Sequence, residues 1–375
     1  MTVTSLLQEL VRIPSVNPDA VPASPHSGEE AMAQHLAHLL TSWGFAVTLD
    51  EVQPGRPNLI ARAPGPEDRP RIFFGPHLDT VAVDGMTIDP FSGEEKDGCI
   101  WGRGASDTKG PMAAMLCALH HHRDRLAELP VAVDFVAFMG EESHQPGAKH
   151  FARHQARDYE FALVGEPTSL QFVRVTKGSL WATVRTTGKA THASQPHLGE
   201  NAILKLTASL DLLNRKLTNR LATYQHPVLG HSTLNIGTIA GGSSANIVPD
   251  HAEATLDIRF TPDLAAEGGA RQLVEQLIAE NQLPLTFGPT SEAPPMEVKP
   301  DHPWLQRLTS ALPEGKLVGA PWFSDAAHLN AAGLPAVCIG PGSIDQAHTA
   351  DEFITISDLE KGADFFKSLI ASLEN

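Results

Sequence analysis

The sequence of 375 residues contains little cysteine and fewer basic than acidic residues. Its three cysteines, Cys99, Cys117 and Cys338, are too few for a disulfide framework, which indicates a reducing compartment. Lysine and arginine number 28 against 44 aspartate and glutamate residues, so the formal net charge is −16. A chain this acidic repels phosphate backbones, which argues against nucleic-acid binding.

Long apolar runs are also missing, since none approaches the ~18 residues that a membrane-spanning helix needs. The first 19 residues lack the basic start of a signal peptide and carry Glu9 and Arg12. We therefore expect a cytoplasmic protein with no membrane partner. Hydrophobic residues make up 42% and charged residues 19%, a composition typical of folded proteins. The length predicts two domains, because one hydrophobic core rarely grows this large.

The order of predicted elements separates the chain into two domains. Alternating strands and helices predict an α/β domain with a mostly parallel mixed sheet, which includes strands at residues 71–74, 131–139, 161–164 and 336–339. A different order, strand-helix-strand-strand-helix-strand, follows at residues 179–187, 201–216, 233–239, 253–260, 264–280 and 285–287. This split βαβ order is typical of a small ferredoxin-like α+β domain. The predicted domain bounds are 1–172 and 291–375 for the discontinuous main domain and 173–290 for the inserted one.

Histidine or carboxylate side chains lie in five segments at predicted strand ends or in adjoining loops. The segments are GPHLDTV (75–81), GRGASDTKG (102–110), GEES (140–143), VGEPT (164–168) and GPGSIDQAH (340–348). Taken singly, each could be an ordinary surface turn. The glycine-rich second segment could also cradle a phosphate, but it lacks the spacing of a phosphate-binding loop.

Taken together, the five segments favour a metal site. Ligands of open α/β sheets bind beyond the carboxyl ends of the strands, where this chain repeatedly offers His, Asp or Glu. Imidazole and carboxylate ligands suit zinc or a similar divalent ion. Two histidines and three carboxylates are too many for one catalytic zinc, but they fit two ions if one carboxylate bridges them. Such a site can activate water at neutral pH and polarise a carbonyl oxygen.

The five ordered segments resemble the M20 family of dinuclear zinc aminoacylases and peptidases. The resemblance spans positions 75 to 348 and implies a zinc-peptidase-like catalytic domain with an inserted lid. It implies two zinc ions, for which cobalt could substitute. One ion would be bound by His77, Asp107 and Glu166, and the other by Asp107, Glu142 and His348. Glu141 would be the general base for a metal-bridging hydroxide, and Asp79 would orient His77.

The resemblance also implies residues that bind substrate. His192, in the segment GKATHAS (188–194), would stabilise the oxyanion, and in dimeric members this histidine comes from the partner subunit. Asn246 and Arg259 would bind the substrate carboxylate, with Gly342 also at the substrate. The simpler interpretations are that His192 is a surface residue and Arg259 forms a salt bridge on its strand. A homodimer that forms through the lid is expected.

The expected reaction is deacylation of a small N-acyl amino acid or peptide. The loop 340–348 and the following residues look most like those of acetylornithine deacetylases. Succinyl-diaminopimelate desuccinylase remains an alternative because the GEPT segment is shared with that group. A dipeptidase or glutamate carboxypeptidase is a third possibility. A hypothesis of another class is a non-catalytic protein that binds amino-acid derivatives, although such a binder has no need of Glu141.

Overall fold

The computed structural model describes residues 1–19 and 26–374. Its helices are α1 Val3–Val11, α2 Glu30–Ser42, α3 Lys109–His122, α4 Pro146–His154, α5 Ala202–Leu221, α6 Pro262–Ala266, α7 Gly269–Glu280, α8 Pro303–Ala311, α9 Asp325–Ala331 and α10 Ile356–Ser372. Its strands are β1 Ala46–Gln53, β2 Arg56–Arg62, β3 Arg71–Gly75, β4 Glu94–Lys96, β5 Cys99–Trp101, β6 Ala132–Ala137, β7 Phe161–Val164, β8 Phe172–Thr176, β9 Gly178–Thr187, β10 Gln225–His226, β11 Gly230–His231, β12 Thr233–Gly241, β13 His251–Phe260, β14 Thr286–Ala293, β15 Met296–Glu297, β16 Leu317–Ala320, β17 Ala336–Cys338 and β18 Phe353–Thr355.

The chain forms two compact units. Unit 1 comprises Met1–Arg174, Val298–Val318 and Ser324–Asn375, and unit 2 comprises Val175–Glu297 and Gly319–Phe323. Unit 1 is therefore discontinuous in sequence, and the first boundary falls within β8. The role of unit 2 as a lid stays a prediction.

Unit 1 contains a mixed sheet whose centre is parallel. Strands β6, β3, β7 and β17 lie side by side in that order and run in the same direction. The antiparallel pairs β1–β2 and β2–β6 lie at one side of them, and β17–β8 lies at the other. Strands β3, β6 and β7 are buried throughout and are mostly apolar rather than alternating, except for Arg71 and Asp134, which form a buried ion pair at 2.7 Å. The predicted α/β class with a mixed sheet is confirmed.

Helix α3 lies in the core of unit 1. Every residue from Lys109 to Leu119 is buried, so the helix is apolar around nearly its whole circumference. It packs against α10 and α1, and the three helices share one hydrophobic cluster with β3 and β6. The start of α3 is thereby fixed next to the loop that carries Asp107.

Unit 2 is a four-stranded antiparallel sheet with order β12-β13-β9-β14, and α5 and α7 pack against it. Buried and more exposed residues alternate along β13, because one face of the sheet contacts the helices. The predicted strand-helix-strand-strand-helix-strand order is confirmed. The single helix predicted at 264–280 is wrong: it is broken into α6 and α7, because Gly268 and Gly269 adopt φ values of 106° and 83°.

Candidate metal centre

The central strands of unit 1 bring four of the five segments to one edge of the sheet. His77 follows β3, Glu141 and Glu142 follow β6, Glu166 follows β7, and the loop with His348 follows β17. Since these strands are parallel neighbours, their carboxyl ends meet at the same edge. The fifth segment reaches this edge as the loop before α3, and it contributes Asp107.

The first group of potential ligands is His77, Asp107 and Glu166. One ligand atom from each lies within 4.8 Å of the other two, and all three residues are buried. His77 Nε2 lies 3.0 Å from Asp107 Oδ1. Burial would lower the pKa of His77, but Asp107 and Asp79 on either side of the ring raise that pKa well above its usual value.

The second group is Asp107, Glu142 and His348, with the same spacing limit of 4.8 Å. His348 Nε2 lies 3.3 Å from Asp107 Oδ2 and 3.1 Å from Glu142 Oε2. Its hydrogen bonds with these two carboxylates raise the pKa of His348 to about 10. Asp107 therefore has one oxygen towards each histidine, which is the arrangement a bridging ligand requires.

Asp79 supports both the histidine and the following loop. Its backbone carbonyl lies 2.9 Å from His77 Nδ1, and its carboxylate oxygen Oδ1 lies 3.5 Å from the same nitrogen. The carboxylate accepts the backbone N–H groups of Glu141 and Glu142, each at 3.0 Å. It also accepts the side-chain amide of Asn17 at 2.7 Å. Asn17 is a contributor that sequence reasoning missed, since nothing in its local sequence links it to position 79.

The carboxyl groups at this edge repel one another. Burial and the charge of Glu166 raise the pKa of Glu141 well above its usual value. Burial and the charge of Asp107 do the same for Glu166, and they also raise the pKa of Glu142. Carboxylates packed this closely are costly unless a cation lies between them. The donor set of two imidazoles and three carboxylates, in two groups that share Asp107, therefore fits two divalent metal ions.

Glu352 holds the loop that carries Asp107, and sequence reasoning did not single it out. This buried carboxylate accepts the backbone N–H groups of Ser106 and Asp107 on Oε1, at 2.9 and 3.0 Å. Its Oε2 accepts the Gly104 N–H at 3.0 Å and an Arg103 N–H at 2.8 Å. The residues are about 250 positions apart in sequence, so no local pattern could reveal the contact.

Two of the predicted substrate residues lie close together within unit 2. The segment of His192 pairs with the segment of Asn246 through a bridge between His192 and Ile247 and a 3.0 Å bond from Ala193 N–H to Asn246 O. His192 Nδ1 accepts the Ser194 backbone N–H at 3.2 Å and lies 2.7 Å from Ser194 Oγ, which can donate to the same nitrogen; the tautomer with the ring proton on Nε2 fits both contacts. That nitrogen can then donate to an oxyanion.

Arg259 has partners on its own strand and beside it. It donates to both oxygens of Asp257, at 2.9 and 3.2 Å, and its guanidinium lies over the rings of Trp181 and Phe323. The salt bridge that was the simpler interpretation is thus present. A role of Arg259 in binding a substrate carboxylate stays a prediction. In that role, the substrate would share the guanidinium with Asp257 or would displace Asp257 from it.

Gly342 packs against the loop of Asp107. It adopts φ 86°, and a Cβ there would lie 2.6 Å from Ser106 Oγ, so no side chain fits. Its carbonyl accepts the Ser169 N–H at 2.7 Å. These contacts give Gly342 a packing role, while its contact with substrate stays a prediction.

Comparison with known proteins agrees with this geometry. The family model described as peptidase family M20/M25/M40 matches residues 73–372. The chain belongs to this family. It is 33% identical to an acetylornithine deacetylase of Proteus mirabilis over 389 aligned positions, which cover 98% of this chain and 96% of that relative.

Solved structures of M20-type enzymes share the fold. A metallo-carboxypeptidase of the M20 family from Sulfolobus solfataricus has a TM-score of 0.79 at 19% identity, and the match covers 100% of this chain and 99% of that one. A tripeptidase from Staphylococcus aureus has a TM-score of 0.76 at 22% identity, with 99% and 98% covered. Like other M20 proteins, this chain is a hydrolase of amide or peptide bonds in small molecules, and the family depends on metal. Within residues 1–19 and 26–374, no helix is long and apolar enough to cross a membrane.

Proposed function

We propose that this protein is a metal-dependent deacylase of N-acyl amino acids, with N-acetylornithine as its best candidate substrate. The observation that carries the proposal is the pair of ligand groups that share Asp107, with Glu141 next in sequence to the ligand Glu142. The substrate class is supported by the 33% identity to an acetylornithine deacetylase over nearly the full length. The surplus of acidic residues also favours a substrate whose side chain ends in an ammonium group, as that of ornithine does.

The metal centre would hold two divalent ions, which we propose to be zinc, with cobalt as a substitute. His77 and Glu166 would bind one ion, Glu142 and His348 the other, and Asp107 would bridge them. The bound ions would supply Lewis acidity, by which water ionises near neutral pH and the acyl carbonyl is polarised.

Glu141 is the proposed general base. Its carboxylate would take the proton of the attacking water and pass it to the departing nitrogen. A group that first accepts and then donates a proton needs a pKa near the working pH. In the metal-free site, burial and neighbouring Glu166 raise the pKa of Glu141, which is the direction that this role requires. Asp79 would orient His77 through the contacts at Nδ1, which leaves Nε2 towards Asp107.

Substrate recognition is proposed for unit 2 and one loop of unit 1. His192 would donate to the oxyanion from Nε2, and Asn246 and Arg259 would bind the substrate carboxylate. A guanidinium is suited to this because it can donate two parallel hydrogen bonds. The backbone at Gly342 would line the site beside Asp107.

We also propose a cytoplasmic homodimer that forms through unit 2. Strand β12 lies at the edge of its sheet, and its outer side has no partner strand among the described residues. Ile239 on this strand is 56% exposed, and Leu204 on α5 is 67% exposed. An exposed apolar edge strand promotes association with another chain, so a second copy is a suitable cover.

Comparing substrates on metal-loaded protein tests this function. We expect kcat/KM to be highest for N-acetylornithine, compared with N-succinyl-diaminopimelate, acyl-glutamates and dipeptides. Preference for the succinyl compound would identify a desuccinylase, and preference for peptides would identify a dipeptidase or carboxypeptidase. No turnover of any of them with zinc or cobalt present would favour a non-catalytic binding protein.

The general base has its own test. Replacing Glu141 by Gln removes the proton acceptor but keeps the size of the side chain, so kcat should fall by about 10²- to 10⁴-fold. Metal content should stay at the wild-type level because Glu141 is not among the ligands. Wild-type turnover by this variant with both metals bound would contradict the assignment.

A further inference from the structure

A buried glutamine and a buried histidine form a hydrogen-bonded chain that ends on Glu141. Gln145 Nε2 donates to Glu141 Oε1 at 2.9 Å. On the other side of the amide, Gln145 Oε1 lies 2.9 Å from His328 Nε2. Gln145 is 1% exposed and His328 is 8% exposed, so water does not replace these contacts.

The donor and acceptor roles in this chain are determined by chemistry. When Glu141 is ionised, as a general base must be before it accepts a proton, the reverse orientation of the amide would place its oxygen against the carboxylate, and two acceptors do not bond. Gln145 therefore gives its N–H to Glu141 and its oxygen to His328, so His328 Nε2 must be a donor. Burial, with the positive charges of Lys149 and Arg153, lowers the pKa of His328 to about 4. The ring is accordingly neutral at physiological pH, with its proton on Nε2.

The backbone of the loop places Gln145 in this position at some cost. Gln145 lies in the left-handed region at φ 53° and ψ 46°, and His144 before it has φ 63°. The Gln145 N–H bonds to the Gly140 carbonyl at 3.0 Å, so the loop turns back on itself. Non-glycine residues are uncommon in this region. His144 and Gln145 are two such residues in succession, and the buried side chain of Gln145 is hydrogen-bonded on both sides of its amide, towards Glu141 and towards His328.

His328 comes from a separate element. It lies in the last turn of α9, which precedes β17, whereas Gln145 caps the start of α4. Helices α4 and α9 pack against each other within unit 1. The chain of hydrogen bonds therefore connects the loop after β6 to an element 183 residues away.

We propose that Gln145 and His328 are positioning residues that fix the carboxylate of Glu141 and leave its Oε2 as the oxygen that accepts and returns the proton. Oε1 is occupied by the Gln145 amide N–H at 2.9 Å, so Oε1 is held away from the proton transfer. His328 acts through Gln145, because its proton fixes the orientation of the amide. This proposal rests on the proposed role of Glu141 as the general base.

The two substitutions that break the chain should lower kcat and leave KM nearly unchanged. Gln145→Met keeps the length of the side chain and removes both bonds, so kcat should fall by about 10- to 100-fold, the size expected for a lost hydrogen bond to a charged group. His328→Leu removes the outer donor, and kcat should fall by about 3- to 10-fold. His328→Gln keeps a nitrogen donor near the position of Nε2 and should restore kcat to within about threefold of wild type.

A matched control lies at the other end of α4. Gln155 Nε2 donates to the Asp50 carboxylate at 3.0 Å, so Gln155→Met removes the same kind of bond away from Glu141. Its kcat should remain within about twofold of wild type. Metal content and melting temperature of every variant are measured together with kcat and KM, which separates lost positioning from lost folding.

The double variant Gln145→Met with His328→Leu gives a further readout. If His328 acts through Gln145, His328→Leu should cause no further loss of kcat once Gln145 is gone. Equal losses in both backgrounds would overturn the proposal. Wild-type kcat in both Gln145→Met and His328→Leu, together with an inactive Glu141→Gln, would also overturn the positioning role. The proposed function would stand in that case. Full activity of Glu141→Gln would instead refute the general base, and the positioning role with it.

Discussion

Replacing Glu352 by Gln tests how the loop of Asp107 is held. Each carboxylate oxygen of Glu352 accepts two N–H groups: Ser106 and Asp107 on one, and Gly104 and Arg103 on the other. In glutamine an NH₂ group replaces one of these two oxygens. In either orientation of the amide, that NH₂ group faces two N–H donors and cannot accept from them. The variant thus loses two hydrogen bonds and leaves the buried Arg103 without its counter-charge.

The loss in the free energy of unfolding caused by Glu352→Gln can be derived from these contacts. Removing one partner of a buried ion pair costs ~3–5 kcal/mol, and each unsatisfied buried donor costs ~1–3 kcal/mol. These costs overlap, and Arg103 keeps its bonds to two backbone carbonyls, so we expect a loss of about 3–5 kcal/mol. With an m-value of ~3 kcal/mol/M, the urea midpoint of unit 1 should fall by roughly 1 to 1.7 M.

Urea unfolding of chelator-treated protein, followed by circular dichroism, measures this change without metal binding. The control is Glu360→Gln on the exposed face of α10, which should change the free energy of unfolding by less than ~0.5 kcal/mol. If Glu352→Gln were as stable as this control, the argument that Glu352 holds the loop would be refuted.

Three further predictions concern charge and assembly. His348 has a pKa of about 10 without metal, whereas an imidazole that binds metal is neutral, so metal binding at pH 7 should release protons. Calorimetry should therefore give binding enthalpies that depend on the buffer. Enthalpies that do not depend on the buffer would contradict this prediction. Burial, with the charges of Asp79 and Glu142, raises the pKa of Asp325 to about 8, and neither of its oxygens has a hydrogen-bond partner among the described residues. Its folded form thus keeps a proton that the unfolded chain loses near pH 4, so Asp325 contributes less to stability as pH rises from about 4 to 8. Asp325→Asn should therefore gain stability relative to metal-free wild type between pH 5 and 8 in urea titrations, and a constant difference would count against the assignment. Ile239→Lys should convert the proposed dimer to monomer in sedimentation velocity, whereas a monomeric wild type would disprove the dimer.

Site residues could be predicted from the sequence where they come directly after a predicted strand. Histidine and carboxylate residues stand directly after apolar runs, and parallel strands gather their carboxyl ends at one edge, so the proximity of His77, Glu142 and Glu166 could be predicted. Asp107 does not follow a strand, and its place among the ligands came from the family resemblance of its segment. The break between α6 and α7 was also visible in sequence as two adjacent glycines, but the helical spacing on both sides hid it.

Contacts between distant parts of the chain could not be predicted. Glu352 and His328 reach the site from segments whose local patterns are an ordinary strand start and an ordinary helix. Their importance lies in buried hydrogen bonds, which depend on how loops pack rather than on periodicity. The salt bridge of Arg259 on its strand was, by contrast, among the interpretations that the sequence offered, because Asp257 lies two residues away on the same strand face.

The most direct test of the central claim is the metal content of purified protein, measured by mass spectrometry alongside hydrolysis of N-acetylornithine. We predict two divalent ions per chain in the wild type and loss of both metal and turnover in Asp107→Ala, because Asp107 belongs to both ligand groups. Two ions retained by Asp107→Ala, or full turnover by chelator-treated wild type, would contradict the account.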